Sequence, residues 1–283
     1  MVELAEHLAS LDAPLKLCRP VIIYQGEAMA KLPKRFQDRV RSRLKHFQTI
    51  AVSQRSRDVS EADTVTLVKD ILSEVFGYDK YEELTSEHLV RGTYCDLAVQ
   101  TDGQVRFLIE VKSAGSTLTE AHLRQAINYG AHKGIEWVIL TNAVEWRFYR
   151  VKFGQPIAWE EVVRICLPDM NPRSDDDLER LFLLAREGLA ADAISAFHQQ
   201  SQLFNPFTVA QLLMGEASVA LVRRELRKTF PDLKIDVETV ADIIRSGVIK
   251  RELVDGDKAT AASALLRKAG QKAQRAARRV ADK

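Results

Sequence analysis

An Asp-Gly pair at residues 102 and 103 separates two runs of alternating apolar and polar side chains, RGTYCDLAVQ (91–100) and QVRFLIEVKS (104–113). Asp and Gly tolerate the positive φ angles of a tight hairpin turn, and alternation with period two marks a strand with one buried face. The spacing predicts an antiparallel hairpin turning at Thr101-Asp102-Gly103-Gln104. Period two then places Glu110 and Lys112 on one face of the second strand and Ile109 and Val111 on the other. Asp96 falls directly or diagonally across from Glu110 in either register this turn allows, with Cβ atoms roughly 5 to 8 Å apart.

Two carboxylates that close repel each other unless one is protonated or a cation neutralises them. A hard, oxygen-seeking ion such as Mg²⁺, with Mn²⁺ as a substitute, would hold both through oxygens at about 2.0 to 2.1 Å. An ammonium at Lys112 would steady an attacking water and the charge that builds up on a phosphodiester. The plain alternative is that all three are exposed polar positions of an ordinary hairpin.

Asp96, thirteen residues and then Glu110-Val111-Lys112 resembles the PD-(D/E)xK nuclease motif. The predicted helix that follows carries Gln125-Ala126-Ile127-Asn128-Tyr129. This is similar to the Q-x-x-x-Y motif of the RecB-like branch and of the nuclease domain in type I restriction subunits. The resemblance covers residues 60 to 165 and departs at Cys95, where many relatives have proline. It implies an α/β fold, a restriction-endonuclease-like core with a mixed central sheet flanked by helices. It also implies Mg²⁺-dependent hydrolysis of DNA by Asp96, Glu110 and Lys112. Gln125 and Tyr129 would order the site or contact substrate. Relatives often add an acid from the first core helix, and Glu61 is the acid there that projects onto the buried stripe, whereas Glu74 falls opposite. Asp96, Glu110 and Glu61 are therefore the expected metal ligands. Glu61 also has a simpler use, as a negative charge at a helix N-terminus.

Ser60-Glu61-Ala62-Asp63 reads as a helix start, with Val65, Val68, Leu72 and Val75 as its buried stripe and Gly77 as its stop. Upstream, Pro33 to Ile50 spaces Phe36, Val40, Leu44 and Phe47 helically; Lys34, Arg35, Arg39, Arg41, Arg43 and Lys45 form the other face, either solvated or tracking phosphates. Val21 to Tyr24 reads as a short strand or packed coil. Ser113-Ala114-Gly115-Ser116 is small enough for a nucleic-acid backbone to come close, with Ser113 as a contact. A helix from Thr117 or Leu118 to Lys133 buries Leu123, Ala126, Ile127, Gly130 and Ala131, which leaves Gln125 and Tyr129 on the opposite face. Strands follow at 136–141 and 145–151, with an edge strand at 160–167. Trp146, Phe148 and Tyr149 read as packing residues.

Two prolines and an acidic run at Pro168 to Asp177 read as a boundary, and the remainder is helical in pattern. Helices are expected from Leu178 to Glu187, Ala190 to Leu203, Asn205-Pro206 onward, Glu216 to Thr229 and Asp236 to Arg245. In the fourth, Leu221, Val222 and Leu226 read as core, while Arg223, Arg224, Arg227 and Lys228 offer either a DNA contact or a solvated face. From Arg267 the tail holds seven basic residues against one acid; a frayed helix and a segment that orders on binding both fit. The chain thus divides into an N-terminal helical extension (1–59), a nuclease-like domain (60–167), a helical region (175–253) and a basic tail (254–283).

Lys+Arg of 41 against Asp+Glu of 39 leaves +2, so any nucleic-acid surface must come from local clustering. Cys18, Cys95 and Cys166 lack zinc spacing and read as reduced thiols. No apolar run approaches a membrane span, and the first ten residues do not read as a leader, so a cytoplasmic protein with no membrane partner is expected. No G-x-x-x-x-G-K-[ST] loop occurs, so no helicase motor is expected in these residues. The combined expectation is a stand-alone Mg²⁺-dependent nuclease acting on DNA; the alternative is a non-cleaving nucleic-acid-binding or assembly protein with the same fold. A homodimer and a separate specificity partner are left open.

Overall fold

The computed structural model describes residues 32–90 and 93–281, and the stretch Val21 to Tyr24 and Cys18 lie outside them. The chain divides into two compact units, one ending at Ser195 and one beginning at Ala196. The Pro168–Asp177 stretch lies inside the first.

The first unit opens with helix α1 (Lys34–Ser56), which buries Phe36, Val40, Leu44, Phe47 and Ala51 at helical spacing. Helix α2 (Glu61–Glu74) starts where its cap predicts: the Ser60 hydroxyl oxygen accepts the Asp63 N–H. Of the expected stripe Val68, Leu72 and Val75 are buried and Val65 is half-buried, and Thr64, Leu67 and Ile71 complete the buried face. Strands β1 (Leu84–Val90), β2 (Thr93–Thr101) and β3 (Gln104–Val111) follow. Asp102 and Gly103 both have positive φ, 51° and 73°, the geometry a two-residue hairpin needs. β1 has no counterpart among the expected strands. Its sequence, LTSEHLV, has polar residues running through it, as suits a strand that ends a sheet.

Helix α3 (Glu120–Lys133) then crosses over to β4 (Trp137–Thr141), which pairs with β3 in parallel. A parallel pair requires such a crossover. β5 (Glu145–Lys152) and β6 (Ala158–Cys166) complete a mixed six-stranded sheet in the order β1-β2-β3-β4-β5-β6, with every other pairing antiparallel. Trp146, Phe148 and Tyr149 are buried, and Trp146 meets Phe76 edge to face at 6.0 Å. The protein is therefore α/β, with helices flanking a mixed sheet.

Where one helix was expected from Leu178 to Glu187, two short ones form, α4 (Asp175–Phe182) and α5 (Arg186–Ala190). Gly188 does not stop a helix; it lies within α5, where a Cβ would stand 1.8 Å from the Phe182 carbonyl oxygen. Only glycine fits that approach. Arg39 was assigned to an exposed basic face, yet its guanidinium is tied to Val75 and Phe76 carbonyls and to both Glu187 oxygens.

At the start of the second unit, α6 (Ala193–Leu203) begins before the unit boundary and runs into it. Helices α7 (Pro206–Leu213), α8 (Glu216–Thr229) and α9 (Val237–Asp242) follow, the first and third capped by Asn205 and Asp236. A π-helical turn, Ile243–Val248, continues from α9, and α10 (Asp257–Ala281) makes the tail a helix. The core here is Ala210, Val219, Val240, Ile244 and Ile249, with Leu226 packed against it. Leu221 and Val222, read as core, are exposed instead. Among the described residues no helix is long and apolar enough to cross a membrane.

Candidate active site

Strands β2 and β3 pair from Thr101↔Gln104 back to Leu97↔Ile109, which carries Asp96 to the position facing Glu110. There the Val111 backbone N–H donates to Asp96 Oδ2 at 2.7 Å, so the side chain is oriented by the neighbouring strand's backbone. One residue on, the Lys112 N–H donates to the Thr141 carbonyl at 2.8 Å, tying the strand end to β4. The Lys112 Nζ lies 2.8 Å from Glu110 Oε1 and 3.3 Å from Glu61 Oε2. Glu61, 51 positions from Lys112, thus meets Glu110 and Lys112 at the mouth of the hairpin, with Asp96 beside them.

Glu110 is only 5% exposed, and its Oε2 is buried with no hydrogen-bond partner. Burial pushes its pKa up to about 7; the Lys112 hydrogen bond opposes this, and the Asp96 carboxylate adds to it. For Lys112, burial works to lower the pKa, but the bond to Glu110 and the surrounding carboxylates outweigh it and leave it raised. Cys95, beside Asp96 in β2, is buried in the core under α3, and its thiol donates to the Ile109 carbonyl at 3.2 Å. Burial, then the charges of Glu110 and Asp96, push that thiol up to about 12, so it is a packing residue and a poor nucleophile.

Glu61 occupies the first turn of α2 and turns towards Lys112. Among the described residues no three His, Cys, Asp or Glu side chains form a ready metal cage. The Lys112 ammonium pairs with both Glu110 and Glu61.

The expected groove-lining pair on α3 separates. Gln125 is exposed, whereas Tyr129 is 3% exposed and packs in the core with Cys95, Leu108 and Leu140. The helical period places Tyr129 off the apolar stripe, yet its ring is buried with the sheet side chains. Ser113 has its hydroxyl 2.6 Å from that of Ser116, and Gly115 is exposed, with the Asp58 side chain where a Cβ would stand. In α8, Arg223 donates to the Ile235 carbonyl, Arg224 pairs with Glu225, and Arg227 is exposed.

Thr64 and Asn142 position this site without having been singled out from the sequence. The Thr64 hydroxyl accepts the Ala114 N–H at 3.1 Å and donates to the Ser60 carbonyl, locking the loop after Lys112 onto α2. Asn142 donates to the Ser116 carbonyl at 2.8 Å. The available signal for Thr64 was a hydroxyl placed on an apolar helical stripe.

Residues 67–165 match the family model described as type I restriction enzyme R protein N terminus. The match runs from α2 through β6, so it takes in every strand of the sheet, α3, Asp96, Glu110 and Lys112; Glu61 and the second unit lie outside it. This segment is related to a type I restriction enzyme domain. No curated protein and no solved structure matches the chain.

Proposed function

We propose that the sheet-bearing part of this chain hydrolyses DNA phosphodiester bonds with Mg²⁺, in a restriction-related role and on a restriction-endonuclease-like core. The supporting observation is Glu110, a carboxylate held out of water with one oxygen unpartnered, facing Asp96 and bonded to an ammonium. A buried oxygen without a partner is costly, and a divalent cation is a partner it lacks. The donors are all carboxylate oxygens, which suits a hard ion. Asp96 and Glu110 would hold it, with Glu61 as a third ligand if Lys112 releases it. Once bound, Mg²⁺ would supply a more acidic water and neutralise charge on the phosphate.

The protein's own groups do the rest. Lys112, held above its ordinary pKa, stays protonated at neutral pH and acts as a hydrogen-bond donor rather than a base. Its ammonium would donate to the attacking water and to the charged phosphoryl oxygens. The Val111 N–H keeps Asp96 aimed across the hairpin, and Thr64 holds the loop beyond Lys112 in place.

The pairing of Lys112 with both Glu110 and Glu61 favours a second reading, a DNA-binding module that does not cut because the lysine already satisfies its acids. One experiment separates the two. Purified protein is incubated with supercoiled plasmid and Mg²⁺ or Mn²⁺, alongside Asp96→Ala, Glu110→Ala and Lys112→Ala. Cleavage should fall by about 100-fold or more in each variant. Mn²⁺ should raise the unfolding temperature of the unmodified protein but not of Asp96→Ala. Cleavage that persists in Asp96→Ala or Glu110→Ala defeats the proposal, and DNA binding without cleavage or metal stabilisation establishes the second reading.

A further inference from the structure

The second unit carries an open surface cavity of about 320 Å³ whose charge is one-sided. Helix α7 contributes Gln211, the π-helical turn contributes Arg245, and α10 contributes Thr260, Ser263 and Arg267. No carboxylate lines it. Among the described residues neither arginine has an ion-pair or hydrogen-bond partner, whereas Arg223, Arg224 and Arg251 of the same unit are all engaged. Both arginines are exposed, so an anion bound between them would take two charge-assisted contacts at little desolvation cost.

The backbone that carries Arg245 is also unusual. The Ile249 N–H donates to the Ile244 carbonyl at 3.0 Å, an i→i+5 bond that continues α9 as a π-helical turn. Such turns insert a residue into helical register and recur at functional sites. Ile244 and Ile249 are themselves buried, so the wider turn is anchored in the core while Arg245 is presented to the cavity.

We infer that this cavity is a phosphoryl-binding site, in which Arg245 and Arg267 clamp the anion and the Ser263 hydroxyl and the Gln211 amide complete its hydrogen bonds, while the Thr260 hydroxyl, which donates to the Gly256 carbonyl, only lines it. Guanidinium forks match phosphate oxygens in pairs, and hydroxyl and amide donors satisfy the oxygens that remain. The phosphoryl group belongs either to a nucleotide or to the backbone of a nucleic acid. The site belongs to the second unit and the sheet's carboxylates to the first, and its test reads binding rather than cleavage.

Isothermal titration of the full chain in phosphate-free, low-salt buffer would use AMP and, separately, a short DNA duplex with unphosphorylated ends. The double variant Arg245→Gln/Arg267→Gln should weaken at least one of the two probes by about tenfold or more. Ser263→Asp should do the same, because it puts a carboxylate into the cavity and leaves both arginines in place. Circular dichroism melting verifies that both proteins remain folded. Loss of AMP binding alone identifies a nucleotide as the source; loss of duplex binding alone identifies the nucleic-acid backbone. Unchanged affinity for both probes in folded variants, or failure of the unmodified protein to bind either, overturns the inference.

Discussion

Replacing Arg39 by alanine should cost the first unit about 3 kcal/mol, far more than a surface arginine of α1 is worth. The side chain is 17% exposed, and its Nη1 and Nη2 reach the two Glu187 oxygens at 2.8 and 2.7 Å. Nε and Nη2 also donate to the Val75 and Phe76 carbonyls, at the end of α2 where carbonyls lack intrahelical partners. Breaking a buried ion pair costs about 3 to 5 kcal/mol; partial exposure lowers that, and the two lost carbonyl bonds raise it again. Arg43 is the control, being 56% exposed and 3.6 Å from Glu74, so Arg43→Ala should stay within about 0.5 kcal/mol. The assay is urea unfolding followed by tryptophan fluorescence. Trp137, Trp146 and Trp159 all sit in strands of the first unit, so the signal reports that unit alone. The pH dependence carries a sign. Burial works to raise the Glu187 pKa, but the Arg39 bond outweighs it and leaves it below the ordinary 4.5. That contribution is present above pH 4.5 and is lost as pH falls through the lower folded value, so the gap between the two proteins should narrow in acid. If Arg39→Ala costs no more than Arg43→Ala at pH 7, Arg39 belongs to the solvated face and the argument fails.

Glu110 gives the opposite pH behaviour. Holding it near 7 instead of 4.5 corresponds to about 3 kcal/mol, so without metal the native protein should lose roughly that much between pH 4.5 and 8.5. Glu110→Gln should not show this loss, and parallel curves for the two proteins in urea titrations would refute the assignment. At Gly115 an added Cβ would stand 2.6 Å from Asp58 Oδ1, so Gly115→Ala should cost about 1 kcal/mol. The cost should vanish in an Asp58→Gly background, which also relieves the positive φ of 49° at residue 58; equal costs in both backgrounds would show that the contact is not the cause.

The hairpin was legible because its determinants are local, a turn that needs positive φ and strands whose period is two. Helix starts at Ser60, Asn205 and Asp236 were legible for the same reason, since each cap bonds an N–H only three residues on. The Glu110–Lys112 pair followed from alternation alone. Where reading failed, the deciding contact lay elsewhere in the chain. Tyr129 went from a polar face to the core because Cys95 and Leu108 of the sheet receive its ring. β1 was missed because its alternation is weak and its partner, β2, supplies the pairing. Leu221 and Val222 looked like core because helical periodicity does not say which side of α8 meets Val240 and Ile244.

By itself the sequence determined the ribbon carrying Asp96 and Glu110, the capped helix starts, and the face on which Lys112 lies. Those follow from backbone sterics and side-chain period, which act over a few residues. The tertiary structure alone decided what each charge answers to: Arg39 to Glu187, 148 positions away, and Lys112 to Glu61, 51 positions away. A charge takes whichever partner the packed chain brings within a few ångströms, and for partners this distant that choice has no signature in the spacing of residues along the chain.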